Sequence, residues 1–415
     1  MKENQVMSKF RLAHLGLVMA AIGFSAAAPL AGLVPAAYAA DTVRAEVGKP
    51  LQEAQRLASS GKNREALAKL KEADAVGGKT EFEKYQIERV RASAAAAAGD
   101  SDTAARAFEA VINSGRLSNA EQPKFTEALA GMYYRAKDYN KAITWIQRAL
   151  KDNPNNGTMR DLLIQTYYIS GKYGEAAKEL QSSGKQSEQN LQMLANIQLK
   201  QNDKAGYVQT LEKLAGQYPK ASYWADLLNR VVGKPGFSPT LNLDVMRLKL
   251  ALGQLAKPSE FMEMGQLALQ ARNAPESLKI IEQGYKKGAL GTGTDAGRHQ
   301  RLKDLAVKTQ NDQKASAEKD QAEAIANKDA DTLANIGLAL VSDGKGDEGL
   351  KLIDQALKFG TARNQEAVKL HYGIAQYRAG KKAAAISTLK TVKGTGGEAE
   401  LARYWILYIN NPISA

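Results

Sequence analysis

Residues Lys124 to Pro154 read KFTEALAGMYYRAKDYNKAITWIQRALKDNP, and the stretch carries two helical periods with a break at Ala136-Lys137-Asp138. Small residues (Ala130, Ala142, Ala149) stand where two antiparallel helices must approach closely, and large ones (Leu129, Tyr133, Tyr139, Ile146) fill the spaces between. Pro154 stops the second helix, because it cannot continue the hydrogen-bond ladder. The stretch is a helical hairpin.

The hairpin recurs. With the small residue early in the second helix as a ruler, Ala66, Ala104, Ala142 and Ala176 follow one another at spacings of 38, 38 and 34. Four residues on stand Leu70, Phe108, Ile146 and Leu180, and at seven Ala73, Val111, Ala149 and Ser183, all on one helical face. Gly61, Gly99 and Gly171 sit in the turns before them, where a left-handed backbone ends a helix at no steric cost. A fifth unit keeps Leu194-Ala195, Leu211 and Pro219 but puts Tyr207 at the small position, which predicts helices set further apart. A sixth, between Tyr223 and Leu255, is interrupted by Pro235, Gly236 and Pro239, and Ser277 with Ile281 marks a seventh. The charged segment Arg298 to Ala330 reads as a poorly packed repeat. Gly349 with Ile353 and Ala385 with Leu389 mark the last two units, and Glu398 to Asn410 is expected to cap the open C-terminal end. About ten units fit the period.

This pattern resembles the tetratricopeptide repeat family, whose offsets are occupied by Leu129-Ala130, Tyr133, Ala142, Ile146 and Pro154. The segments KPGF, LDVMRL, EFMEMGQLAL and LARYWIL resemble, more narrowly, exported tetratricopeptide proteins of Gram-negative bacteria. The resemblance implies an all-α fold, an α-α superhelix: a right-handed solenoid of about ten helix pairs, degenerate in its C-terminal half. It places a signal peptide at 1–39, a regular array at 40–220, degenerate helical repeats at 221–335, and closing repeats with a capping helix at 336–415. It also implies a non-catalytic periplasmic scaffold that holds a protein or peptide segment and serves envelope assembly or transport. Two other readings stand beside it: an accessory or catalytic solenoid acting on an envelope polymer, and a membrane-anchored structural subunit.

Composition agrees with helices. Over 415 residues there are only 11 prolines and 7% aromatics, and no alternating strand pattern appears. Lys9 and Arg11 precede an apolar run, Leu15 to Val34, that ends at Ala37-Tyr38-Ala39, so cleavage before Ala40 is expected; left uncleaved, the run is long enough to act as an anchor. The chain has no cysteine, hence no disulfide and no lipid-attachment cysteine. The formal charge is +13, and loss of Lys2, Glu3, Lys9 and Arg11 leaves about +11, which favours acidic partners. For an exported chain those are acidic proteins or envelope polymers rather than nucleic acid.

Catalytic chemistry has little to be built from. His299 and His371 lie far apart without ligand-type spacing, and no cysteine or HExxH pattern joins them, so no metal and no cofactor are expected. Ala73 to Thr80, ADAVGGKT, ends like a phosphate-binding loop but lacks its first glycine and follows a helix; Gly77-Gly78 read as a helix terminator. Gly291, Gly293 and Gly297 read as linker.

The informative surface is the one that the first helices of a tetratricopeptide array line. There the residue after the family's tyrosine is again tyrosine in two successive units, Tyr133-Tyr134 and Tyr167-Tyr168. The inner ring of each pair is expected to pack, and Tyr134 and Tyr168 to be available. Lys124, Glu127, Arg135, Asp161, Gln165, Gln192, Asn196 and Lys200 complete the candidate partner-binding groove. Tyrosine and arginine anchor interfaces because each buries a large rigid area and keeps a polar handle.

Overall fold

The computed structural model describes residues 42–182 and 187–412, so the expected export segment 1–39 and Ser183 of the ruler lie outside the described residues. Those residues form twenty α-helices and one 3-10 turn, with no strand among them. They divide into two compact units that meet between Asp203 and Lys204.

The first unit runs through α1 (Ala45–Ser59), α2 (Asn63–Ala75), α3 (Glu81–Ala98), α4 (Ser101–Asn113), α5 (Gln122–Arg135), α6 (Tyr139–Asp152), α7 (Gly157–Ile169), α8 (Tyr173–Ser182) and α9 (Glu188–Lys200). Helices pack in sequence order, each against the one before it and the one after it. The ruler residues Ala66, Ala104, Ala142 and Ala176 are all fully buried, as a close crossing requires. Polar side chains start the helices: Thr80, Asp100, Asp138, Asn156 and Ser187 each accept a hydrogen bond from the amide three residues on.

The turns between first and second helices share one closing bond. The amides of Lys62, Asp100, Asp138, Lys172 and Asp203 donate to the carbonyls of Leu57, Ala95, Tyr133, Tyr167 and Gln198, each five residues back. The residue before each donor is left-handed: Gly61, Gly99 and Gly171, but also Lys137 at φ 61° and Asn202 at φ 57°. This shared bond aligns the five first helices residue by residue. At the N-terminal end, Arg44 donates from its amide and guanidinium to the buried Glu83 carboxylate, and from the guanidinium to the Gly77 and Gly78 carbonyls. The glycine pair therefore presents carbonyls to a cation, and Thr80 with Glu83 forms a capping box on α3. Those bonds to Arg44 pull the Glu83 carboxyl down to about 2.

The second unit contains α10 (Lys204–Gln217), α11 (Ala221–Val232), the 3-10 turn (Pro239–Leu241), α12 (Asn242–Ala251), α13 (Pro258–Gln270), α14 (Ala274–Lys286), α15 (Ala296–Ala326), α16 (Ala330–Ser342), α17 (Gly346–Phe359), α18 (Gln365–Arg378), α19 (Lys382–Leu389) and α20 (Glu398–Asn410). The close crossings persist: Ser277 is buried and its hydroxyl donates to the Gly265 carbonyl at 2.8 Å, and Gly337 lies against Gly349 without room for a side chain on either. Tyr207 at the ruler position is buried toward α11, its hydroxyl 2.5 Å from Asp226 and its ring under the Arg230 guanidinium at 4.1 Å.

Two expectations need correction. The unit expected between Ser277 and Gly349 is not a helix pair but the single 31-residue helix α15. No proline or left-handed residue interrupts it before Lys328, and its buried stripe is only His299, Leu302, Ala306 and Ala324. The last helix, α20, does not cap an open end. It packs on α18 and α19 and also on α10 and α12, closing the second unit on itself. Trp405 is buried with Tyr377 and Tyr408 at ring distances of 6.0 and 5.8 Å, and a Cβ on Gly216 of α10 would stand 2.7 Å from Leu407.

Because Ala142 lies fully buried at a helix crossing and Ala384 is exposed, Ala142→Leu is expected to lose about 1–3 kcal/mol and Ala384→Leu almost nothing. Thermal melts of the two variants followed by circular dichroism check this; equal melting temperatures would mean that the register is wrong.

Candidate partner-binding surface

The closing bond of each turn identifies equivalent positions in the first helices. The residue after each carbonyl acceptor is Ala58, Ala96, Tyr134, Tyr168 and Leu199 in turn. Large apolar side chains therefore occupy this position only in α5, α7 and α9. Leu199, 48% exposed, is the member that sequence reasoning missed. The sequence signal for it is Asn202, a residue type that tolerates the left-handed turn and so fixes the register.

The two tyrosines are less free than expected. Tyr134 and Tyr168 are each half-buried and packed on the core, Tyr134 against Tyr139 at 6.1 Å and Tyr168 nearly edge-on to Tyr173 at 5.7 Å. The same pair of rings thus recurs one repeat apart. Burial pushes the Tyr134 phenol above its ordinary range. Their inner neighbours pack as expected: Tyr133 donates to Glu109 at 2.6 Å, and Tyr167 accepts from Gln147 at 2.9 Å.

The remaining groove residues separate into exposed and committed side chains. Lys124, Arg135, Asp161 and Lys200 are exposed, and the Lys200 ammonium lies 5.7 Å from the centre of the Tyr173 ring, which ties α9 to the second aromatic pair. Gln192 and Asn196 are half-buried, and Gln192 donates to Glu188 at 3.2 Å. Gln165 is corrected: it is only 8% exposed and faces packing rather than solvent. Glu127 is also committed. It accepts from Asn156 Nδ2 at 2.7 Å, while Asn156 Oδ1 caps α7, so the carboxylate fixes a helix start. Burial pushes the Glu127 carboxyl up, with the Asn156 bond opposing.

Tetratricopeptide repeat models match residues 89–157 and 189–221, which cover α3 to α6 and α9 to α10. The chain carries tetratricopeptide repeats in those two stretches. No curated relative matches it by sequence. Among solved structures it aligns with a chain of "Naa15/Naa10 bound to HypK-THB" over 86% of its own length at 14% identity, TM-score 0.29, and spans 65% of that chain. It also aligns with the P58(IPK) TPR domain over 89% of its length and 100% of that chain, at 12% identity and TM-score 0.22. At such scores neither superposition bears on partners or mechanism.

The second unit of the repeat protein holds a buried ionic cluster that the sequence did not announce. Arg247 of α12 donates from Nη1 to Asp244 at 2.8 Å and from Nη2 to Glu276 of α14 at 2.5 Å. Arg378 of α18 reaches Glu276 at 2.7 Å, and His371 Nε2 donates to Asp244 at 3.0 Å. Asn273 Nδ2 donates to Glu276 and to the Ser342 hydroxyl of α16. Four helices are thereby tied around the buried Asp244, Arg247 and Glu276, with His371 and Arg378 reaching in from partly exposed positions. Burial alone would raise both carboxyls, but the facing partners win: the His371 imidazole and the Arg247 guanidinium hold Asp244, and Arg247 and Arg378 hold Glu276, below the ordinary range. Among the described residues no three His, Cys, Asp or Glu side chains stand close enough to hold a metal ion.

Removing one partner leaves a buried charge uncompensated, so Glu276→Gln is expected to cost about 3 kcal/mol or more. The exposed pair Lys381–Asp347 supplies the control, Asp347→Asn, with an unchanged melt expected. Since the folded Glu276 carboxyl titrates below its unfolded value, its contribution is complete above about pH 5 and is lost as the pH falls below that range. Urea melts from pH 7 to pH 3 read both effects; equal loss in the two variants would contradict the role given to Glu276.

Proposed function

We propose that the chain is a non-catalytic periplasmic adaptor that holds an extended or helical segment of a partner protein along α5, α7 and α9 of its first unit. The carrying observation is the strip Tyr134, Tyr168 and Leu199, at one register position in three successive first helices. Two half-buried rings and an exposed leucine can cover apolar side chains of a partner. Arg135 and Lys200, exposed and next in sequence to Tyr134 and Leu199, with Lys124 exposed at the start of α5, suit a segment that is acidic as well as apolar. The export reading rests on the apolar run and small-residue site before Ala40. It places the adaptor among envelope proteins, where a service to assembly or transport machinery is the natural role.

The tyrosines support the core and Leu199 does not, which separates binding from folding. Leu199→Asp is expected to keep the wild-type melt and to weaken capture of the partner by about 1 kcal/mol or more. Tyr168→Ala is expected to weaken capture and also to lower the melting temperature, because it removes the edge contact with Tyr173. The measurement is affinity capture from an osmotic-shock fraction, with circular dichroism on the same samples; undiminished capture by a folded Leu199→Asp protein would place the partner site elsewhere.

A further inference from the structure

The first unit has a second concavity, on the opposite set of helices. A cleft of about 990 Å³ lies between α2 and α4 with the C-terminal half of α3 as its floor. The next repeat carries larger side chains in the equivalent region. The 38-residue register places Lys71, Ala95 and Ala107 where the following pair has Glu109, Tyr133 and Trp145. In that following pair the three side chains form a plug: Glu109 accepts from the Tyr133 hydroxyl at 2.6 Å and from Trp145 Nε1 at 3.3 Å, and the Arg148 guanidinium lies 5.1 Å from the Trp145 ring. Between α2 and α4 the carboxylate is replaced by an ammonium and both rings by methyl groups. Leu67, where the next pair has Ala105, returns only part of that volume.

The charges around the cleft are unbalanced in one direction. Arg64, Lys71 and Arg106 line it and none is in an ion pair; Arg106 reaches only the Thr103 hydroxyl at 3.4 Å. Of the acids nearby, Asp102, four residues before Arg106 on α4, is in no ion pair, and the others are already used. Arg91 holds Glu88 and Asp74 at 3.2 and 2.8 Å, Asp100 caps α4 through the Thr103 amide, Lys62 lies 3.6 Å from Glu65, and Lys69 holds Glu72 at 2.8 Å. The cleft therefore offers a surface that includes Ala68, Ala98 and Ala110 beside three cations in no ion pair.

We propose that this cleft docks an acidic peptide segment of a partner protein, one aromatic side chain lying against Ala68, Ala98 and Ala110 and flanking carboxylates pairing with Arg64, Lys71 and Arg106. The occupant supplies from outside what Glu109, Tyr133 and Trp145 supply from within one repeat later. This surface is distinct from the Tyr134, Tyr168 and Leu199 strip, and a partner that engaged both would gain by tethering the second contact to the first.

The test uses the full chain and a fluorescein-labelled peptide with one tryptophan between two pairs of glutamates, read by fluorescence anisotropy at low salt. Wild type is expected to bind. Lys71→Glu combined with Arg106→Glu, both at exposed positions, is expected to weaken binding about tenfold or more, and exchanging the peptide's tryptophan for alanine to do the same. Leu199→Asp is expected to bind the peptide as wild type does, so failure here and failure of the groove reading are separable. The proposal is overturned if the peptide does not bind or if the charge variant binds unchanged. It is equally overturned if tryptophan is dispensable, since the cleft would then be a bare cationic patch that any polyanion satisfies.

Discussion

The whole structure depends on helices crossing closer than ordinary side chains permit. In the first unit that constraint is met by Ala66, Ala104, Ala142 and Ala176, each without exposed surface. In the second it is met by Ser277, Gly349 and Ala385. Once the crossing is fixed, the apolar residues four positions on can only point into the next helix, and the chain must repeat or stop. The repeat period, the turn chemistry and the buried stripe all follow from that geometry.

The two units satisfy it differently. In the first, each pair is secured by its neighbours and by local caps, and the N-terminal end is held by Arg44 on Glu83. In the second, the regular pattern decays, and stability moves into long-range devices. Lys234 reaches Glu400 at 2.5 Å, the Ser238 amide donates to the Gly396 carbonyl, and Phe237 packs where Gly397 has no side chain. Arg403 pairs with Glu212 at 3.4 Å, and the Arg247 cluster ties α12, α14, α16 and α18. An array that closes on itself has no exposed terminal repeat, so it needs no polar capping helix.

Helix identity and register were legible because each rests on contacts within about 40 residues: the small residue, its partner four positions on, and the left-handed turn. What was illegible depends on distant contacts. Segments KPGF, LDVMRL and LARYWIL, quoted above for their resemblance to exported proteins, make such distant contacts. They hold Phe237 against the start of α20, Asp244 and Arg247 in the buried cluster, and Trp405 in the closing helix. Nothing in the local pattern of Asp244 distinguishes it from a solvated helix acid. The candidate groove was legible by position and less so by role. Tyr134 and Tyr168 fell at the right register, but their packing on Tyr139 and Tyr173 needed coordinates, and Leu199 was passed over because its residue type differs.

The central claim is that a partner segment lies along α5, α7 and α9. A photoreactive benzoylphenylalanine placed at position 199, and separately at the exposed second-helix position Lys178, tests it in intact cells. The account predicts that illumination captures a discrete protein adduct from position 199 and none of the same mass from position 178. An adduct of equal yield from both positions, or from position 178 alone, would contradict it.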